Sequence, residues 1–382
     1  MSHDENKYNP DIIDKPIQII KQPTITFDGP NIIEINDIRS SSDFRGISFS
    51  NYKRSDVKKR LIDAMQSKNI EPACYWCAEL LCAGHYTELW EIILYYSSKH
   101  IHLGNPKIAI YLELRYNIFR NIVNQSTNIN ELDLRNNEKI RKLFAEMICT
   151  LCLSNKKPSF EQTKIKTENA FDMTQLSSKL KAPNAEYVRE NMKPKDPKEL
   201  FIALNEFAFS LSHESSNMCD AFYWLEWMLE FETTCKKKKQ VLKCEHRSGN
   251  VENKYRGNII WIIWDILLDY CQLQSNELVK KTMISLNKLF CIKYTDASNK
   301  KRRYLLYYSI SLLTEHVNTN VEILPNKTIL QSVLDQIETV YKQIKKNEQA
   351  PKTEYLFQGI DKKRALEKSL KQMEIVNSII NT

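Results

Sequence analysis

The chain has 382 residues, of which 55 are lysine or arginine and 47 are aspartate or glutamate, for a formal net charge of +8. That length accommodates two or three compact units, and the modest basic excess admits an acidic partner without requiring one. Only seven glycines are present, about a quarter of ordinary usage, which argues against hairpin-rich folds and phosphate-cradling loops.

Residues 1–50 read differently from the rest. Prolines at 10, 16, 23 and 30 punctuate short β-branched runs, among them Thr24 to Phe27, followed by Asp28-Gly29 and then Ile32 to Ile35. Alternation about Asp-Gly fits a small hairpin, but a lone hairpin is marginal in water. An extended or partly disordered arm is the preferred reading. Met1 to Pro10 is polar and lacks the apolar core of a secretory leader.

From Ser55 the period becomes helical: Val57, Leu61 and Met65 share a face. Pro72 suits the first turn of a second helix with its body over Ala73 to Cys82. Leu89, Ile92, Ile93 and Tyr96 mark a third. Asn105-Pro106 resembles a cap and first-turn proline opening a fourth, running to about Val123, and a fifth is expected over Asn137 to Leu153. This first helical unit spans 51–157. Residues 158–195 are polar, with prolines at 158, 183 and 194, and read as a linker.

A second unit is expected over 196–320. Asp196-Pro197-Lys198-Glu199 has the pattern of a capping box, and Leu200, Leu204, Phe207 and Leu211 form the stripe behind it. Helices follow near 218–231, 257–272, 275–291 and 300–316, and C-terminal helices occupy 321–382, near 326–346 and 361–380. The run Ala73 to Leu81 aligns with Ala221 to Leu229, matching Tyr75-Trp76 to Tyr223-Trp224. Chance alignment of two helical blocks is the bland alternative. The shared order of elements favours tandem duplication, so the expected fold is all-α: two tandem, duplicated helical-bundle units with an extended N-terminal arm. Tyr75, Trp76, Leu81, Tyr223, Trp224 and Leu229 are its expected core.

Thiols carry the strongest chemical pattern. Cys74 and Cys77 have C-x-x-C spacing, Cys82 and His85 follow, and Cys149 and Cys152 repeat the spacing. A zinc site needs such ligands, yet both pairs fall inside apolar helices, where three-residue spacing merely aligns two small side chains. Core packing is preferred. Cys235, Cys244 and His246 lack a fourth ligand, so no metal residue is assigned. Phosphate loops, H-E-x-x-H and G-x-S-x-G are absent from the sequence. Asp265 and Asp269 lie four apart and could face each other, but acids so spaced more often pair with bases or face water. No catalytic residue and no cofactor are expected, and the chain reads as a non-enzyme. The longest apolar run, Asn258 to Leu268, is interrupted by Asp265 and falls short of the roughly 18 residues a membrane span needs.

Two basic segments could hold phosphate. Lys236, Lys237, Lys238, Lys239, Lys243 and Arg247 form one. Lys300, Lys301, Arg302 and Arg303 form the other, beside Tyr304, Tyr307 and Tyr308. Lysine and arginine supply salt-sensitive attraction, and aromatics stack on unpaired bases. The alternative is a solvated loop with ordinary core tyrosines.

The block Pro72 to His85, with SSKHIHLGNPKIAIYLELR from Ser97, resembles an uncharacterised helical family of nucleocytoplasmic large DNA viruses over residues 50–160. The same block is distantly similar to the C-terminal helical domain of replication-associated AAA+ ATPases of the MgsA/RarA type. Their A-x-Y-W-x-A-R-x-L-x-x-G is met by Ala73, Tyr75, Trp76, Ala78, Leu81 and Gly84, with Glu79 replacing the arginine. Their S-E-D-I-G-x-x-D-P is met in part by Ser98, Ile101 and Pro106. The ATPase itself has no counterpart here. The resemblance implies a helical scaffold or oligomerisation protein beside viral replication or transcription machinery, in the host cytoplasm or the virion. Its partners would be viral proteins, a second copy of the chain, or nucleic acid, and not a membrane. A minor capsid or core protein of the virion is the alternative.

Overall fold

Asparagine opens four of the long helices. A computed structural model describes residues 33–125, 131–165, 171, 176–247, 250–324, 326–349 and 370–371. In it the Asn137, Asn217, Asn276 and Asn326 side chains accept from the backbone N–H of Ile140, Asp220, Leu278 and Ile329 at 2.9–3.2 Å. Each bond satisfies a donor that the helix itself leaves without a partner. The described residues are all-α, with twelve α-helices. Their one isolated β-bridge pairs Ile47 with Lys53.

The first helices are α1 (Arg54–Gln66), α2 (Ile70–Cys82), α3 (Tyr86–Tyr96), α4 (Ile108–Gln125) and α5 (Glu138–Leu153). A π turn, Ser97–Ile101, and a 3-10 turn, His102–Gly104, separate α3 from α4. There follow α6 (Phe201–Leu211), α7 (Met218–Lys237), α8 (Ile260–Gln272), α9 (Glu277–Phe290), α10 (Ser298–Lys301), α11 (Arg303–Thr314) and α12 (Lys327–Lys345).

Several boundaries differ from the sequence expectation for local reasons. Helix α2 starts two residues before Pro72, which is tolerated because first-turn N–H groups have no intrahelical acceptor. Asn105 does not cap α4; its amide donates to the Glu322 and Ile323 carbonyls, both at 3.3 Å. Asp196 accepts from Lys193 N and Arg247 rather than from a helix start, and a 3-10 turn, Lys198–Leu200, precedes α6. The helix expected over 300–316 breaks at Arg302 into α10 and α11.

The two helices that carry the Tyr-Trp pairs each pack on neighbouring helices. Helix α2 lies against α1 and α5, and α7 lies against α6 and α11. The Tyr75 and Trp76 rings meet edge-on at 5.0 Å and 83°, and Tyr223 and Trp224 at 5.2 Å and 83°. Their surroundings diverge: Tyr75, Trp76 and Tyr223 are half-buried, whereas Leu81, Trp224 and Leu229 are buried.

A single buried cluster runs from Ile35 to Ile344. Helices α4 and α9 pack together, and Glu113 on α4 accepts from Ser285 and Lys288 on α9 at 2.6 and 2.7 Å. Helix α11 packs on the π turn, and Tyr308 donates to the Pro106 carbonyl at 3.1 Å. Polar stretch 158–195 also feeds this core through Phe160, Leu176 and Val188. Helix α12 returns to the first half, lying on α2 and α5.

Of the N-terminal segment 1–50, residues 1–32, including the run around Asp28-Gly29, lie outside the described residues. From Ile33 the chain is extended and held. Asn136 exchanges two bonds with the Ile35 backbone at 2.9 and 3.0 Å, and Ile38 N donates to the Gln349 carbonyl at 3.2 Å. The helix expected over 361–380 likewise lies outside the described residues except at 370–371. Among the described residues, no helix is long and apolar enough to cross a membrane.

Candidate nucleic-acid interface

The first lysine run is the C-terminal end of α7. Lys236 and Lys237 lie in its last turn and Lys238 caps it. Lys239 takes a left-handed φ of 59°, so that its N–H reaches the Lys236 carbonyl and Gln240 N reaches the Cys235 carbonyl. This is a Schellman ending. Cations here also complement the negative end of the helix dipole, which is a structural reason for some of the charge. All four lysine side chains are exposed.

Helix α10 brings Lys300 and Lys301 alongside. A cleft of about 330 Å³ has Leu229, Glu232, Thr233 and Lys236 on one wall and Asp296, Asn299, Lys300 and Lys301 on the other. Exposed Lys243 joins them through Asn258, whose carbonyl accepts from its Nζ at 3.0 Å while its amide donates to Asp296 at 2.7 Å. Carboxylates temper the site: Lys236 pairs with Glu232 at 2.8 Å and Lys300 with Glu230 at 3.6 Å. Lys237, Lys238, Lys239 and Lys301 have no carboxylate partner among the described residues. The cleft and the exposed helix end beside it can therefore offer unpaired cations to an extended polyanion.

The three arginines do not belong to this surface. Arg247 is 4% exposed and bonds Asp196 at 2.7 Å and Asp265 at 2.5 Å. Arg302, also 4% exposed, holds Glu91 at 2.5 Å and the Phe290 carbonyl at 2.6 Å. Arg303 pairs with buried Glu226 at 2.8 Å. A guanidinium enclosed by carboxylates cannot also meet phosphate. Tyr307 and Tyr308 are buried as well, with Tyr307 stacked on Phe222 at 4.0 Å, and Tyr304 is half-buried.

The other sequence candidates resolve into packing. Cys74 on α2 lies near Cys149 and Cys152 on α5, and burial raises every one of these thiols, Cys149 to about 11 and Cys152 to about 12. Protonated thiols are poor metal ligands. Cys77 and Cys82 are buried and raised too, and His85 donates to the Ile47 carbonyl at 2.7 Å. Cys235 and Cys244 are buried while His246 is exposed. Among the described residues no three histidine, cysteine or acidic side chains are grouped to hold a metal ion. Asp265 is held by Arg247, and Asp269 accepts from Asn191.

One feature escapes sequence reasoning altogether. Helices α3 and α4 and the segment after α9 enclose a second, aromatic pocket of about 500 Å³. Its signal, Tyr116, Phe119 and Val123 at helical spacing, is indistinguishable in sequence from a core stripe. No family model matches the chain, and neither a curated protein nor a solved structure matches it.

Proposed function

We propose that this protein is a non-enzymatic helical scaffold that engages nucleic acid through the lysine cleft between α7 and α10. One observation carries the reading: Lys236 and Lys300–Lys301, far apart in sequence, line a single solvent-facing cleft, and exposed Lys237, Lys238 and Lys239 follow Lys236 directly in the chain. Lysine in this setting acts as a hydrated point charge that neutralises backbone phosphate without reading sequence. The extended helical faces around it suit protein partners, viral replication or transcription subunits being those the sequence resemblance implies.

Fluorescence anisotropy with single- and double-stranded DNA and RNA of about 30 nucleotides tests this. If four to five phosphates are neutralised, log K for duplex DNA falls with log salt at a slope of about −4. Reversing Lys237, Lys238, Lys239 and Lys301 to glutamate should abolish binding and lower the thermal midpoint only modestly, by the roughly 0.3–1 kcal/mol that each charge near the helix end is worth, while the fold is retained. Absence of binding at low salt, or binding indifferent to these reversals, overturns the proposal.

A further inference from the structure

The aromatic pocket has a chemistry of its own. Tyr86 and Trp90 from α3 meet Tyr116 and Phe119 from α4, and Trp90 sits edge-on to Tyr116 at 5.1 Å and 89°. At about 500 Å³ it lies inside the usual range for small-molecule sites, roughly 300–1,000 Å³. Its charged lining residues are Arg120, Lys293 and Arg302, and no carboxylate lines it. A cationic ligand would meet three like charges. A neutral apolar ligand would give Arg120 and Lys293 no ionic partner.

The three cations differ in what they can do. Arg302 is fixed by Glu91 and the Phe290 carbonyl, so it forms wall. Arg120 is exposed and has no ion-pair partner among the described residues. Lys293 is exposed, its Nζ resting on Thr87 Oγ1 at 3.3 Å. The buried indole N–H of Trp90, a residue that lines the pocket, has no acceptor among the described residues, an unmet donor with a desolvation penalty. Aromatic faces, an orphan donor and two open cations together fit a planar heterocycle bearing an anionic group.

We propose that this pocket binds a nucleoside phosphate, with its base on the Trp90–Tyr116–Phe119 wall and its phosphate at Arg120 and Lys293. Stacking on aromatic side chains tolerates any base, so selectivity falls on the phosphate. A free nucleotide and the phosphorylated end of a strand share this chemistry. The proposal does not rest on the lysine cleft, with which the pocket shares no lining residue.

Isothermal titration calorimetry of the full chain with AMP, UMP, adenosine, inorganic phosphate and a 5′-phosphorylated oligonucleotide of about eight residues tests the assignment. Saturable one-to-one binding is expected for AMP and UMP or for the oligonucleotide, with adenosine and phosphate at least about tenfold weaker. Binding of both mononucleotides identifies a free-nucleotide site; binding of the oligonucleotide alone identifies a strand end. In either case Arg120→Ala with Lys293→Ala, both exposed positions, should weaken binding by at least about tenfold with an unchanged melting curve. Reversal of the cleft lysines should leave mononucleotide affinity unchanged. The proposal is overturned if no nucleotide or oligonucleotide saturates at concentrations up to about 1 mM, if adenosine equals AMP, or if the double substitution has no effect.

Discussion

Three helix ends share one backbone geometry but differ in the residue that adopts it. Gly84, Lys68 and Lys239 have φ values of 76°, 57° and 59°, and each follows a helix whose last carbonyls are closed by the same pair of hydrogen bonds. Glycine takes this conformation without strain, whereas a residue with a Cβ is disfavoured by roughly 1–2 kcal/mol. Exposed Lys68 makes no ion pair among the described residues, so Lys68→Gly should stabilise the chain by about 0.5–1 kcal/mol, partly offset by unfolded-state entropy. An unchanged or lower urea midpoint would contradict this account. The basic segments show what a sequence cannot disclose at this scale. Lys301 and Arg302 are neighbours in one charged run, yet one is exposed and the other buried. What decides is Glu91, 211 positions away, and no local pattern reports it. Lys301→Ala should therefore change stability by less than about 0.5 kcal/mol, while Arg302→Ala should cost about 3–5 kcal/mol by leaving Glu91 without its cation. Equal denaturation midpoints for the two variants would refute the assignment.

At the scale of elements, a period of 3.6 residues revealed where helices lie but not where they go. The stripe of α12, with Leu330, Ile337, Tyr341 and Ile344, is legible as a helix. Its destination, the groove between α2 and α5, depends on contacts across most of the chain. Arg141 on α5 fixes that return: it is wholly buried, pairs with Glu338 at 2.6 Å, donates to the Ile33 carbonyl at 2.8 Å and lies 4.0 Å from the Tyr341 ring centroid. One side chain thus joins the described ends of the chain to the first half. Glu79 does similar work nearby, accepting from Ser48 Oγ at 2.7 Å and Ser50 N at 2.9 Å to hold the 47–50 loop on α2. Phe160 was equally hidden in the sequence, an aromatic in a polar stretch that stacks on His102 at 4.0 Å. If α12 is integral, Tyr341→Ala should cost about 3–5 kcal/mol, as deletion of a buried ring does. It should also lower the melting temperature of the whole chain in one step. A separate early transition with the remainder unchanged would instead make α12 an appendage.

For the molecule as a whole, the junction of its halves is where pH should act. His100 and His102 lie in the turns between α3 and α4 that α11 packs upon. Burial is the main cause that lowers both, to about 4. The groups facing them are few: Lys99, Lys156 and His102 lower His100 further, Lys157 lowers His102, and the Pro158 carbonyl and Glu315 oppose that. An unfolded histidine titrates near 6.5, so between about pH 6.5 and 4 the unfolded chain binds protons that the folded chain refuses. Their contribution to stability is therefore complete above pH 6.5 and lost as pH falls toward 4. Asp37 and Asp196, held below the usual carboxylate range despite burial by Arg39 and Arg247 with backbone donors, lose their contribution only at still lower pH. Glu226 and Asp265, raised by burial, favour the folded state as pH falls and offset the histidines in part near pH 4–5. Urea denaturation at pH 7 and pH 5 should then differ by on the order of 3 kcal/mol, since each unit of separation is worth about 1.4 kcal/mol. Replacing both histidines with glutamine should flatten that slope, whatever it does to absolute stability. A wild-type slope retained in the double variant would place the acid sensitivity elsewhere.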